Sequence, residues 1–167
     1  MALVLDGNGT MTVGNGDITG LSTGAIESSA IGTGALRQVV QGTFSTQTSM
    51  TGTTATATGL TATITPTSST SKILIKVYIP AYNSSSAANA YYILYKNGSS
   101  LQQLAYYQTT DTGSNPLIVP YNAIYYDSPA TTSATTYAIY AATAAGATHY
   151  WAFGNLQCNI TLMEIAV

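Results

Sequence analysis

The chain has 167 residues and a net charge of −2, and only 6% of its residues are charged, whereas about 25% are charged in ordinary soluble domains. This length suffices for one domain with a core of its own, while four basic residues are too few to line a groove that contacts nucleic-acid phosphates. A lone domain needs charge for solubility and to keep its sheet edges apart. The low charge therefore predicts that Ser, Thr and Asn hydrate the surface and that other subunits cover much of it.

Membrane insertion and export are not predicted. The longest apolar runs are far shorter than the roughly 20 residues of a membrane-spanning helix. The start, MALVLDGNG, lacks the basic region and the apolar stretch of a signal peptide. Cys158 is the single cysteine, so an internal disulfide is impossible. We expect the chain to fold in a reducing cytoplasm.

Residues 1–36 are Gly-rich and differ in composition from the rest of the chain. MALVL and TMTV indicate short extended stretches joined by DGNG and GNGD turns. Thr23 is placed to cap one or two helical turns, which Gly32 and Gly34 would end. The segment has too little apolar mass for its own core, so we expect it to be ordered only when docked on another surface.

From Arg37 onward the pattern is that of strands. The clearest is Lys72–Tyr82, where Ile and Val alternate with Lys, Leu and Tyr, so that one face is uniformly apolar. Asn97-Gly98 marks the turn of a hairpin. Other stretches with strand character are RQVVQGTF, TATATGLTATITP, PLIVPYNAIYYDSP, TTYAIYAAT, THYWAFG and LQCNITLMEIAV. Seven to nine short strands, without a competing amphipathic helix, predict an all-β, jelly-roll-like sandwich over residues 37–167.

Threonine is abundant in these strands, as in DSPATTSATTYAIY at Asp127–Tyr140. Its branched Cβ suits a strand, and its hydroxyl hydrates a surface without a charge. A Thr-covered sheet can also meet another sheet without desolvating an ion. Uncharged edges would favour aggregation of a monomer but are tolerable when subunits close around a symmetry axis. The pattern therefore predicts a symmetric oligomer.

The histidine and the cysteine do not predict an enzyme. His149 is the single histidine, so a Ser/His/Asp site would depend on it and a zinc site would lack a second imidazole. We interpret it as a partly buried or interface residue. Cys158 alternates with Leu156 and Ile160, which is typical of a small core residue, and no nearby cation favours its thiolate.

The carboxylates do not predict an enzyme either. Glycoside hydrolysis needs two carboxylates on one cleft, but Asp111 and Asp127 stand in separate predicted loops. We interpret Asp111 as a solvated turn residue and Asp127 as the cap of a turn. Glu164 is expected to face an opposite charge in the sheet or at an interface. The sequence thus predicts no catalytic residue, no metal and no cofactor.

The chain has thirteen Tyr and two Phe. Three pairs of adjacent Tyr fall in predicted strands, namely Tyr91-Tyr92, Tyr106-Tyr107 and Tyr125-Tyr126. Because strand side chains alternate, one ring of each pair points inward and the other outward. Outward rings suit a protein interface or a platform on which sugars stack. The alternative is that the rings fill the core and a subunit interface. Trp151, close to His149, is a further candidate for recognition.

Several segments resemble bacteriophage tail-fibre proteins, including those of marine and cyanobacterial phages. These segments are MALVLDGNGTMTV with the following ITGL, ALRQVVQGTFSTQTS, GLTATITPTSSTSKILIKV, DSPATTSATTYAIYA and LQCNITLMEIAV. They cover most of residues 1–65 and 126–167. The motifs are structural and transfer no active site. Related fibres often have a shaft between anchor and tip, whereas here the anchor passes almost directly into the β-domain, so the resemblance implies a short fibre or knob.

The resemblance implies a homotrimer in the virion, assembled in the host cytoplasm. Residues 1–36 would dock on other tail, baseplate or capsid proteins, and residues 37–167 would meet a glycan or protein of the host surface. Candidate receptor-binding residues are Tyr91, Tyr106, Asp111, Asn115, His149 and Trp151, with loops near residues 83–89 and 109–115. Candidate attachment residues are Leu3, Leu5, Met11, Val13, Ile18 and Leu21. The alternatives are a head fibre or capsid decoration protein of the same fold, a depolymerising enzyme, and a free-standing lectin.

Overall fold

The computed structural model describes residues 32–83, 89–108, 118–143 and 148–167, with only the backbone for residues 105–108. This part of the chain forms ten strands and one 3-10 turn at Phe153–Asn155, and none of its helices is long and apolar enough to cross a membrane. The strands are β1 (Leu36–Phe44), β2 (Thr48–Met50), β3 (Thr56–Ile64), β4 (Lys72–Asn83), β5 (Asn89–Lys96), β6 (Ser99–Gln108), β7 (Val119–Asp127), β8 (Thr135–Thr143), β9 (His149–Trp151) and β10 (Cys158–Ile165).

The first sheet is built around β4, its longest strand. β7 pairs with one side of β4, while β10 and then β9 pair with the other side. β1 pairs with β10, and β2, which continues the course of β1, pairs with β9. All pairings are antiparallel, so the sheet is effectively four strands wide, in the order β1/β2, β10/β9, β4, β7.

The second sheet has four antiparallel strands in the order β3-β8-β5-β6. The two sheets pack face to face around one apolar core, which confirms the predicted all-β sandwich. The alternation predicted for β4 is also confirmed. Ile73, Ile75, Val77 and Ile79 are buried, whereas Lys76 is exposed. The second sheet supplies the opposing core side chains, among them Tyr92, Leu94, Tyr137 and Ile139.

One side of the sandwich is closed and the other is open. On the closed side β1 meets β3 so tightly that a Cβ on Gly42 would lie 1.8 Å from the carbonyl oxygen of Thr61. On the open side the edge strands β6 and β7 border a groove of about 390 Å³, lined by Gln102–Leu104 and Tyr121–Tyr125. Glycine is therefore required at the closed side because the backbones approach too closely for a side chain.

The connections divide between two ends of the sandwich. At one, here called the loop end, the strand ends that flank residues 84–88, 109–117 and 144–147 come together, and residues 51–55 join them through a hydrogen bond from Thr143 N to Gly52 O. The strand pairs that mark this end are Asn83 with His149, Asn89 with Gln108 and Ala90 with Thr143.

At the opposite end, here called the entry end, the described chain begins. Leu36 pairs with Ile165, so the first residue of β1 and the last of β10 are neighbours. The Asn97-Gly98 turn and residues 65–71 and 128–134 connect strands at this end. Asn97 and Gly98 both have positive φ (49° and 81°), the left-handed conformation that Asn-Gly hairpin turns adopt. The predicted hairpin between β5 and β6 is confirmed.

Candidate functional site

The loop end is the candidate site because it collects connections from both sheets. The strands beneath are long and regular, so they hold the flanking ends of three connections in fixed positions. Binding residues are often carried on loops positioned by such a scaffold. Asp111 and Asn115 belong to residues 109–117 and lie outside the described residues, so their predicted role stays a prediction.

A buried polar network ties the two sheets together directly beneath the loop end. His149 on β9 contacts Asn83 on β4 (Nδ1 to Oδ1, 2.5 Å) and Tyr92 on β5 (Nε2 to the hydroxyl, 2.6 Å). Because Oδ1 of Asn83 is a carbonyl oxygen, Nδ1 carries the proton and donates it, and Nε2 accepts from Tyr92. All three residues are fully buried. Burial lowers the pKa of His149 to about 4, so the imidazole is neutral at physiological pH.

Trp151 lies on the same face of β9 as His149 and is 2% exposed. Its indole N–H donates a 2.9 Å hydrogen bond to the carbonyl oxygen of Thr58 on β3, in the opposite sheet. The hydroxyl of Thr58 in turn donates to the carbonyl oxygen of Ile139 (2.8 Å). His149 and Trp151, both candidate receptor contacts, are thus interior residues that join the sheets below the loops.

Tyr91 and Tyr106 are opposite each other in the backbone register of β5 and β6. Tyr91 is partly exposed on the outer surface of the second sheet, next to the buried Tyr92. The same alternation holds for Tyr125, partly buried, and Tyr126, exposed. The predicted in–out arrangement is confirmed for these two pairs; the side chains of the third pair lie outside the described residues.

An aromatic cluster that the sequence did not predict lies near the loop end. Tyr82 on β4 pairs with Tyr150 on β9, with ring centroids 5.7 Å apart, and Phe153 lies 5.1 Å and 5.9 Å from them. The three rings are half-buried. The signal available in the sequence was the alternation of His149 and Trp151 with Tyr150, which places the tyrosine on the opposite face of β9.

A strained turn holds Phe153 in this cluster. Ala152 (φ 50°) and Asn155 (φ 60°) both adopt the left-handed conformation that non-glycine residues rarely enter. Gln47 holds the turn in place, because its side-chain Oε1 accepts from Gly154 N at 2.8 Å and its backbone N–H donates to Oδ1 of Asn155 at 3.3 Å. Gln47, in the short segment between β1 and β2, therefore fixes the conformation of this turn.

At the entry end, Asp127 joins the two sheets instead of capping a turn. It forms a salt bridge with Lys96 on β5 (3.0 Å) and accepts a 2.6 Å hydrogen bond from the hydroxyl of Tyr137 on β8. The interpretation of Asp127 as a turn cap was wrong, because the strand topology brings it to side chains of the second sheet. Burial and the contact with Asp127 raise the pKa of Tyr137.

Glu164 is fully buried at the same end and is bound by neutral donors. Gln38 Nε2 donates to Oε2 at 2.6 Å, and the backbone N–H and hydroxyl of Thr67 donate to Oε1, each at 2.8 Å. Burial raises the pKa of Glu164, but these hydrogen bonds outweigh it, so the pKa lies below its usual value. An ion-pair partner was expected; the carboxylate is bound instead by neutral groups, among them an amide, a hydroxyl and a backbone N–H.

The described residues contain no group of three or more His, Cys, Asp and Glu side chains placed to hold a metal ion. Cys158 is buried, as its alternation predicts, and burial raises the pKa of its thiol to about 11.

The candidate attachment residues lie outside the described part of the chain. These are Leu3, Leu5, Met11, Val13, Ile18 and Leu21. Comparison of the whole chain with models of known protein families and with curated proteins finds no match.

Proposed function

We propose that the protein is a short phage tail fibre, a structural virion protein that docks through residues 1–36 and adheres to the host surface through a trimeric β-domain. The observation that supports this most strongly is that the entry end and the loop end lie at opposite ends of the sandwich. The described chain enters β1 at the entry end, and the strand ends that flank residues 84–88, 109–117 and 144–147 lie at the opposite end. A domain tethered at the entry end presents its loops away from the tether.

The proposed jelly roll has support from the strand order. With β1/β2 and β9/β10 each counted as one interrupted strand, the described part of the chain has eight strands in two four-stranded sheets. The first and last strands are neighbours in one sheet, and every connection between successive strands crosses from one sheet to the other, apart from the β5–β6 hairpin. Eight strands arranged as two Greek keys are the defining plan of a jelly roll.

Adhesion in this proposal is multivalent. Each loop end would make weak contacts with a host glycan or protein, and several copies on one particle would act together, since linked binding events raise the effective concentration of the next. The buried network of Asn83, His149 and Tyr92 holds the strand ends in place, so less conformational freedom is lost when the loops bind.

Competition for phage adsorption tests the adhesive role. Purified protein should reduce adsorption of the phage to its host, and replacement of residues 109–117 by a Gly/Ser linker of equal length should abolish the effect. A matched control carries the same kind of replacement at residues 129–133, at the entry end, and should compete like the unaltered protein. Both variants must first melt within a few degrees of the unaltered chain. Equal competition by the two variants would contradict adhesion through the loop end.

Localisation on the particle tests the virion assignment. Gold-labelled antibody against the β-domain should mark the tail or baseplate in electron micrographs of intact phage. Labelling of the head would support the alternative, a head fibre or decoration protein. Absence of label from particles, with host polysaccharide shortened by the purified protein, would replace the assignment with a depolymerising enzyme.

A further inference from the structure

We propose that the outer face of the first sheet is the surface through which copies of the chain pack against one another, leaving the second sheet and the loop end turned outward. This inference rests on the proposed trimeric fibre and names the face that forms the subunit interface. By the outer face we mean the side chains of β1, β10, β4 and β7 that point away from the core.

Among the described residues, the exposed large apolar side chains belong to the first sheet and to the segments that flank its strands. Nine large apolar residues of the described chain are exposed, and each belongs to a strand of the first sheet or to a segment that flanks one. On the outer face itself Ile124 is 68% exposed, Val39 53% and Tyr126 52%. Such a concentration on one sheet marks an interaction surface, whereas singly scattered apolar residues need no explanation.

The strand register makes these side chains contiguous. Val39 on β1 is opposite Met163 on β10, Met163 is opposite Leu74 on β4, and Leu74 is opposite Tyr126 on β7. One apolar row therefore crosses the whole sheet. Ile124 lies on β7 two residues before Tyr126, on the same face. Ile124 extends the apolar row along β7, whereas the rest of its own register row, from Lys76 onward, is polar.

The outer face of the second sheet differs from that of the first in the side chains that it exposes. The exposed positions of β3 on this face include Thr61 and Thr63, and the hydroxyls of Thr63 and Thr136 are hydrogen-bonded at 2.8 Å. Tyr95 and Tyr140 cover each other, with ring centroids 3.8 Å apart. None of the exposed large apolar residues lies on this sheet within the described chain. The second sheet, whose hydroxyls the sequence suggested would be covered by other subunits, therefore has the outer face with fewer exposed large apolar side chains.

The size of the outer face fits a second copy. β4 is 12 residues long; at about 3.4 Å per residue and about 4.8 Å between strands, four strands span roughly 40 Å by 19 Å. That plane of about 800 Å² is comparable with the share that one chain contributes to one interface of standard size, and in a trimer it is divided between two neighbouring copies.

The charge on this face also fits a copy of the chain better than an acidic partner. Among the described residues, the charged side chains on it are Lys72 and Lys76, and Lys72 donates a hydrogen bond to Ser128. An acidic partner would need a cluster of cations. Lys76 can lay its aliphatic stem along the apolar patch and direct its ammonium group to the rim.

Charge insertion tests the inference. In a single chain Ile124 and Val39 are mostly exposed, so Ile124→Lys and Val39→Lys should leave the fold intact, with an unchanged far-UV circular dichroism spectrum. Sedimentation velocity should show the unaltered protein at three times the 17.3 kDa of one chain, and both variants should shift to the mass of one chain. The matched control is Thr63→Lys, an exposed outward position of the second sheet, which should remain trimeric.

Other outcomes overturn the inference in distinguishable ways. Dissociation of Thr63→Lys with intact Ile124→Lys and Val39→Lys trimers would move the interface to the second sheet, while the adsorption assay still tests the fibre. If the unaltered protein is a monomer, the inference is overturned. Flotation of this monomer with phospholipid vesicles would then identify lipid as the partner of the outer face. A trimer that fails to label any phage particle would leave the interface standing and remove the proposed function.

Discussion

The hydroxyl of Tyr137 donates a 2.6 Å hydrogen bond to Oδ2 of Asp127, linking the second sheet to the last residue of β7 in the first. Lys96 contacts the same carboxylate from β5. Three strands of two sheets therefore meet at one carboxylate. Because Tyr137 is fully buried, loss of the Asp127 carboxylate would leave its hydroxyl buried without this acceptor, whereas Asp127 keeps its contact with Lys96 when the hydroxyl is removed.

Removal of that hydroxyl should destabilise the sandwich. We expect Tyr137→Phe to lower the free energy of unfolding by about 1.5–3 kcal/mol, the range for hydrogen bonds to charged groups. Tyr140→Phe is the matched control, since Tyr140 is partly exposed and stacks on Tyr95, and it should change stability by about 0.5 kcal/mol or less. Urea unfolding of the three proteins measures the difference. Equal effects of the two substitutions would contradict a structural role for the contact.

Stability should depend on pH through His149. Its folded-state pKa of about 4 lies below the ordinary value of 6.5, so the unfolded chain binds more protons between these values and stability falls as pH falls. The loss should reach about 3 kcal/mol between pH 6.5 and pH 4. Urea titrations across this window should show the slope in the unaltered protein and lose it in His149→Gln. A slope that survives in the variant would assign the effect to another group.

Glu164 should act in a lower pH window. Its folded pKa is depressed, so it contributes stability above the unfolded value of 4.5 and loses that contribution as pH falls through the folded pKa. Glu164→Gln turns an amide towards the donors of Gln38 and Thr67 and should cost about 1–3 kcal/mol at pH 7. The difference from the unaltered protein should shrink below pH 4. A difference that is constant with pH would exclude this carboxylate as the titrating group.

The closed side of the sandwich should not tolerate a side chain at Gly42. Gly42→Ala would place a methyl group 1.8 Å from the carbonyl oxygen of Thr61, and overpacking against a backbone costs about 3 kcal/mol or more. Gly52→Ala is the control, because the nearest atom to its Cβ would be 3.9 Å away. Thermal melts should separate the two variants clearly. Similar melting temperatures would mean that β1 and β3 are farther apart than described.

The sequence predicts the strands and their faces better than it predicts polar partners. Alternation along β4 was enough to assign its buried face, because a period of two is a local property of a strand. Asp127 and Glu164 were misassigned because their partners are distant in sequence: Lys96 is 31 residues from Asp127, and Gln38 is 126 residues from Glu164. Such partners follow from the pairing of strands, which local patterns do not encode.

The same difference between local alternation and strand pairing explains why the sequence did not predict that His149 and Trp151 are interior residues. Alternation places His149 and Trp151 on one face of β9 and Tyr150 on the other. Because both faces carry aromatic residues, the sequence did not indicate which face joins the core. The sheet pairing decides this by setting β9 against β4, so that His149 reaches Asn83.

The neighbouring positions of Leu36 and Ile165 have a mechanical consequence. A fibre held before Gly32 and attached to a cell at the loop end would carry tension parallel to its strands, along the β1–β10 ladder from Leu36↔Ile165 to Phe44↔Cys158. Ladder hydrogen bonds lie perpendicular to the strands, so this load shears them together rather than opening them one after another. Under such tension the domain would unfold only at high force, and the unfolding would be abrupt.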